Sequence, residues 1–180
     1  MIRHAEPGRD AGACAAIYAP HVADAATSFE ERPPAPEDFA ERIERLSATH
    51  PWLVAERDGV VVGFAYATSH RARAAYRWSV ETSVYVADAH ARRGVGRALY
   101  VELLELLRRQ RLHLALAGIT LPNPASVALH EALGFEPVGV YREVGYKAGA
   151  WRDVGWWQLV LDRADGPPLE PLPPQRLDGS

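Results

Sequence analysis

The chain carries one cysteine, Cys14, in 180 residues. An internal disulfide and any multi-cysteine metal site are therefore excluded, and Cys14 reads as a small buried hydrophobe. Its histidines show no metal-ligand spacing, so no metal is expected. No stretch is apolar enough to span a bilayer. The opening "MIRHAEPGRDAGACAAIYAP" has charges through its first ten residues where a leader would have an apolar core. A cytoplasmic protein without a membrane partner is the expectation. An excess of one charge is lacking too. The formal net charge is −3, which makes no global case for nucleic acid or an anionic membrane. Internal repeats are absent, and the length suits a single domain with a sizeable core.

What is present alternates between strand and helix. "IRHAE" reads as a first strand and Asp10 to Tyr18 as an Ala-rich helix. "SFEERPPAPEDF" is a proline-broken loop, and Pro36 opens the helix "PEDFAERIERLSA". "PWLVAERDGVVVGFAYATSH" reads as a hairpin turning at Asp58-Gly59. "RWSVETSVYVA" is a third long strand, followed by a loop and an apolar-striped helix through Val95, Leu99, Leu103, Leu106 and Leu107. "HLALAGITLP" is another strand. The helix "NPASVALHEALGF" has Asn123 to cap it, Pro124 at its first position and Gly134 at its stop. Two final strands follow within "EPVGVYREVGYKAGAWRDVGWWQLVL". The pattern predicts a mixed α/β domain over residues 1–162, with a proline-rich tail over residues 163–180, extended or disordered.

The loop "ARRGVGR" sits between a strand and a helix. Free N–H groups at a helix start, together with the helix dipole, favour an anion. Gly94 and Gly96 let a ligand approach the backbone, and Arg92, Arg93 and Arg97 add positive charge. A phosphate-bearing ligand is the reading. The Gly-Lys-Ser/Thr of a Walker A loop is absent, and Leu99 stands where a dinucleotide fingerprint needs its third glycine. Taken alone, the G-x-G fits a basic helix cap equally well.

In "SVETSVYV" side chains alternate. Val80, Thr82, Val84 and Val86 take one face; Glu81, Ser83 and Tyr85 take the other, a set of polar groups able to line a cleft floor. A partly buried Glu81 suits a general base; a solvent-facing strand glutamate is the bland alternative. His130 is either a satisfied helix histidine or a reacting group, with Ser126 one turn earlier on its face. Arg71 and Arg73 either hold a carboxylate or form a solvated basic loop.

The segments "AYRWSVETSVYV", "GVGRALY", "LPNPASVALHEALGF" and "GYKAGAWRDVGWWQL", with "SFEERPPAPEDF" more loosely, together resemble the GNAT superfamily of N-acetyltransferases. The nearer resemblance is to its phosphinothricin and methionine sulfone/sulfoximine acetyltransferase branch, and it reaches to about Leu161. It implies a GNAT fold, a mixed sheet of about seven strands with about four helices. It implies acetyl-CoA as co-substrate, lying along Val84, Tyr85 and Val86. The pyrophosphate would rest on Arg92, Arg93, Gly94, Val95, Gly96 and Arg97, and Asn123 would sit near the thioester. Glu81 would be the general base, with His130 as the acid or an assisting group. A small amino acid would be the acceptor, held by Phe29, Arg71, Arg73, Ser83, Tyr85 and Val154, with Arg71 and Arg73 on its anionic groups. A homodimer is implied as well.

Three departures stand out. Ala91 replaces the Gln or Arg that usually opens the loop. Arg71 stands where Lys is common. The "SFEERPP" segment varies between branches and shapes the acceptor pocket. A GNAT enzyme for another amine, such as a peptide N-terminus, and a non-catalytic acyl-CoA-binding module are the competing readings. Arg71 and Arg73 count against a polyamine.

Overall fold

In the computed structural model, residues 1–163 and 166–176 are described. Strand β1 (Ile2–His4) leads into helix α1 (Pro7–Ala23), longer at both ends than the sequence pattern predicts. Pro7 occupies the first turn, and the Asp10 carboxylate accepts the Glu6 N–H at 2.8 Å, satisfying a helix-start donor. Gly8 falls in the first turn and Pro20 in the last, where the proline has no N–H to donate to the preceding turn. Helix α2 (Pro36–Ser47) starts at the expected proline, and Asp38 accepts the Ala35 N–H at 2.8 Å.

Strands β2 (Trp52–Arg57) and β3 (Val60–Ser69) form the expected hairpin. Asp58 and Gly59 both have positive φ, 50° and 79°, as the tight turn requires. Next come β4 (Ser79–Val86), α3 (Val95–Arg109), β5 (Leu114–Leu121), α4 (Pro124–Ala132), β6 (Glu136–Lys147) and β7 (Ala150–Val160). Seven strands make one sheet in the order β1-β2-β3-β4-β5-β7-β6. Of its strand pairs only β4 with β5 is parallel. The sheet and its four α-helices match the seven strands and four helices expected above.

Two apolar clusters cover the two faces. Alternation along β2 sends Leu53 and Ala55 to one face, and Trp52 and Val54 to the other. Under α3 and α4 lie Leu99, Leu103, Leu107 and Phe135, so the predicted stripe on α3 is buried throughout. Under α1 and α2 lie Phe39, Ile43, Trp52 and Phe64, and buried Cys14 belongs to this second cluster. Burial pushes its thiol up to about 12, leaving it protonated and inert. Gly63 lets β3 meet the start of α3 closely, since a Cβ there would lie 3.0 Å from the Tyr85 carbonyl and 3.2 Å from Val95.

The described part of the proline-rich segment ends in a 3-10 turn, Pro174–Arg176, and it is docked. Trp78 Nε1 donates to the Leu169 carbonyl at 2.8 Å, and Arg77 pairs with Glu170 at 2.7 Å. The backbone N–H of Leu172 donates to the Gln110 carbonyl at 2.9 Å. Residues 164–165 and 177–180 of the predicted tail lie outside the described residues. Among the described residues, no helix is long and apolar enough to cross a membrane.

Candidate active site

The site begins where two strands part. β4 is laddered to β3 from Val80 to Val86, but its parallel pairing with β5 covers only Ser79 to Glu81. Beyond Glu81 the sheet opens into a seam. Thr82 stands at the fork, its hydroxyl donating to the Leu116 carbonyl at 3.2 Å, so a side chain replaces the ladder bond where pairing stops. The backbone directions follow from two bonds. Ala87 N–H donates to the Val62 carbonyl, and His70 N–H donates to the Ser79 carbonyl. Odd-numbered residues of β4 therefore turn their backbone groups to β3. By alternation, Thr82, Val84 and Val86 turn theirs into the seam. Val84 and Val86 thus turn their backbone groups to the seam, whereas those of Tyr85 face β3 and Tyr85 also borders the seam.

A cleft of about 410 Å³ runs along this seam. Its walls are Thr82 to Val86, the loop from His90 to Arg92, Gly94 to Arg97, and Ala117 to Thr120, together with Tyr100, Asn123 and His130. At one end, α3 starts from Gly94, whose φ is 80°, and no side chain caps it. The first helical bond runs from Ala98 N–H to the Gly94 carbonyl, leaving the N–H groups of Val95, Gly96 and Arg97 free of helical partners. Arg92 and Arg97 border the same end, so donors, helix dipole and charge converge on an anion site. Arg93 is exposed and lies outside this wall; its carbonyl accepts from Arg57 at 3.5 Å. Asn123 uses its Oδ1 to accept the Ser126 N–H at 3.1 Å, capping α4. That leaves its amide N–H groups for a ligand.

His130 is 3% exposed and borders the cleft from α4. Burial holds its imidazole below the ordinary histidine range, although the hydrogen bond to the Ser126 backbone works the other way. In the neutral ring, Nδ1–H donates to the Ser126 carbonyl at 2.7 Å, and Nε2 accepts from the Tyr100 hydroxyl at 2.8 Å. The Tyr100 and Thr82 hydroxyl oxygens are 3.2 Å apart. Burial also pushes the Tyr100 hydroxyl well above its usual range. The sequence pattern hid Tyr100, which reads as one more apolar position of α3.

Glu81 is on the opposite face of β4. Its side chain is 37% exposed and does not border the main cleft. Its Oε1 accepts from His70 Nδ1 at 2.8 Å, a partner that sequence reasoning missed. His70 lies two residues beyond Thr68, the residue paired with Glu81 across the sheet. That spacing puts it on the same face, a signal available only once β3 and β4 are paired.

The expected acceptor residues divide. Ser83 and Tyr85 border the cleft on the Glu81 face. Ser83 is the cross-strand partner of Tyr66, and the Tyr85 ring meets Tyr18 and His21 edge-on at 4.8 and 5.0 Å. Val154 pairs with Thr120 on β5 and Tyr141 on β6, away from the cleft wall. Phe29 lies over the backbone of Gly145, where a Cβ would come within 2.3 Å of its ring. Arg71 and Arg73 are exposed on the connection between β3 and β4.

Comparison with known proteins agrees with this architecture. Residues 2–156 match the family described as "Acetyltransferase (GNAT) domain". The phosphinothricin N-acetyltransferase of Streptomyces viridochromogenes is 42% identical over 164 residues, covering 91% of this chain and 90% of that one. The L-methionine sulfoximine/L-methionine sulfone acetyltransferase of Pseudomonas aeruginosa is 38% identical over 86% of this chain and 94% of its own length. Among solved structures, a GNAT superfamily phosphinothricin acetyltransferase from Sinorhizobium meliloti, in complex with AcCoA, superposes with a TM-score of 0.90. It is 34% identical and covers 94% of this chain and 93% of that one. With the family matched over most of the chain and the interrupted sheet in place, the chain belongs to the GNAT acetyltransferases.

Proposed function

We propose that the enzyme transfers the acetyl group of acetyl-CoA to the amino group of a small amino acid of the phosphinothricin or methionine sulfone/sulfoximine type. The observation that carries this is the seam between β4 and β5, which runs from a helix-start anion site to the level of Glu81. The residues present fit acetyl-CoA. The pantetheine amides find ladder partners in Val84 and Val86. The pyrophosphate finds the free N–H groups of Val95, Gly96 and Arg97 with Arg92 and Arg97 beside them. Acetyl-CoA supplies the activated thioester.

The chain's own residues do the rest. Glu81 takes the proton from the acceptor's ammonium group, freeing the nitrogen lone pair to bond the acetyl carbon; as the bond to sulfur breaks, the nitrogen's second proton passes to the departing thiolate and coenzyme A leaves as the thiol. Arg71 and Arg73 engage the acceptor's anionic groups, and Ser83 and Tyr85 border its pocket. Of the two roles open to His130, assistance fits the geometry better than proton donation. Its one proton in the neutral form is committed to the Ser126 carbonyl, and Nε2 fixes the Tyr100 hydroxyl at the cleft. A homodimer accords with β6, an edge strand exposing Val138, Val140, Tyr141, Val144 and Tyr146, with Trp151 exposed on β7. We place the enzyme in the cytoplasm.

The test is coenzyme A thiol release from acetyl-CoA with phosphinothricin, methionine sulfone, methionine sulfoximine, ordinary amino acids and a short peptide. Turnover of one of the first three is expected. Turnover of the peptide alone would move the acceptor class to protein N-termini. Acetyl-CoA binding with no release from any acceptor would overturn the enzymatic reading in favour of a binding module.

A further inference from the structure

We propose that His70 is a positioning residue that orients the Glu81 carboxylate toward the acceptor's amine, a reading that rests on Glu81 being the base. His70 follows directly on the last residue of β3, and its backbone N–H donates to the Ser79 carbonyl at 3.2 Å, which fixes the start of its side chain. The ring is held edge-on by Tyr76 at 5.8 Å and Trp156 at 6.2 Å. Trp156 is itself seated against Gly118, where a Cβ would lie 3.3 Å from its ring. The His70 side chain is 16% exposed, against 37% for Glu81. The better-held group therefore steers the freer one.

The direction of the hydrogen bond follows from chemistry. An ionised carboxylate only accepts, so His70 Nδ1 carries the hydrogen facing Oε1 at 2.8 Å. Glu81 Oε2 has no partner among the described residues. One oxygen is thus anchored, and the other is left to receive the amine proton. A half-exposed glutamate without that anchor would spread over several rotamers, few of them aimed at the acceptor. His70 needs no contact with the acceptor or with acetyl-CoA to do this.

Two substitutions separate the hydrogen bond from the packing. His70→Phe keeps a ring between Tyr76 and Trp156 and removes the donor. His70→Asn loses the ring but keeps an N–H donor at the same number of bonds from Cβ as Nδ1. Turnover is measured with acetyl-CoA and methionine sulfone, or whichever acceptor the thiol-release panel selects. H70F should lower kcat about tenfold and leave the KM for acetyl-CoA unchanged. H70N should keep kcat within about threefold of the parent enzyme. A purely structural role predicts the reverse order. Parental turnover in H70F, or H70N as slow as H70F, would overturn the proposal. E81Q, assayed alongside, keeps the two failures apart. A slow E81Q with a fast H70F removes only the role of His70. A fast E81Q removes the base reading itself.

Discussion

The two faces of the sheet are built by the same rules and are equipped differently. The face under α3 and α4 holds the buried Tyr100–His130 hydrogen bond, with the Thr82 hydroxyl oxygen 3.2 Å from that of Tyr100, beside the uncapped helix start. The face under α1 and α2 holds Glu81, Ser83 and Tyr85, with a carboxylate that is part-exposed and hydrogen-bonded to one imidazole. Glu81 and Thr82 are adjacent in sequence, yet alternation sends them to opposite sides. In the proposed reaction the first face handles the acetyl donor and the second handles the amine. The seam in the sheet is where the two meet. Separating them lets one face be dry and rigid while the other admits a charged, hydrated acceptor.

The sharpest way to break this comparison is E81Q. It should lower kcat by about a hundredfold or more while the affinity for acetyl-CoA, measured calorimetrically, stays within error. An equal loss of acetyl-CoA binding would show that the faces are not separate in function. The mirror-image experiment is R92A/R97A. It should raise the KM for acetyl-CoA about tenfold, more steeply at low ionic strength, and leave the KM for the acceptor unchanged. A smaller effect is expected from Y100F. That variant leaves His130 Nε2 without its donor and should cost about 1–2 kcal/mol of stability in denaturant titration, with kcat reduced less than tenfold.

The smallest effect is a slope with pH. His130, His50 and His21 are all held below their ordinary range, chiefly by burial. The unfolded chain takes up protons at these rings more readily than the folded one. Their contribution is therefore full above the unfolded value, about 6.5, and is lost as pH falls toward the folded values. Thermal melts from about pH 7.5 down to about pH 5 should show Tm falling, with a shallower fall in H130N. A flat profile would mean that water reaches these rings more freely than their burial indicates.

Much of this layout was legible in the sequence. The Asp58-Gly59 turn, the α3 stripe, the Asn123 cap and the parity of β4 are local patterns, and each is set by neighbours a few residues apart. What was not legible depends on pairing between distant segments. Alternation places Glu81 and Thr82 on opposite faces, but which face carries α4, and hence His130, is decided by tertiary packing. The His70 contact requires the register Thr68 to Glu81, which two strand patterns alone do not set. Tyr100 carries the hydroxyl that meets His130, yet its spacing is that of any core residue. The proline-rich segment reads as loose because its anchors are polar and remote: Trp78 to Leu169, Arg77 to Glu170 and Gln110 to Leu172.

The interrupted pairing of β4 and β5 has a consequence for isotope labelling. The amides of Tyr85 and Ser83 face β3 and are locked into a ladder, so they should exchange slowly with deuterium. Those of Val84 and Val86 face the seam and should exchange far faster in the free enzyme. A substrate backbone lying in the seam would slow these two and leave their odd-numbered neighbours as they were. Four consecutive residues would then act as a built-in occupancy gauge with its own internal reference. It would register acetyl-CoA whether or not an acceptor is present or any turnover takes place.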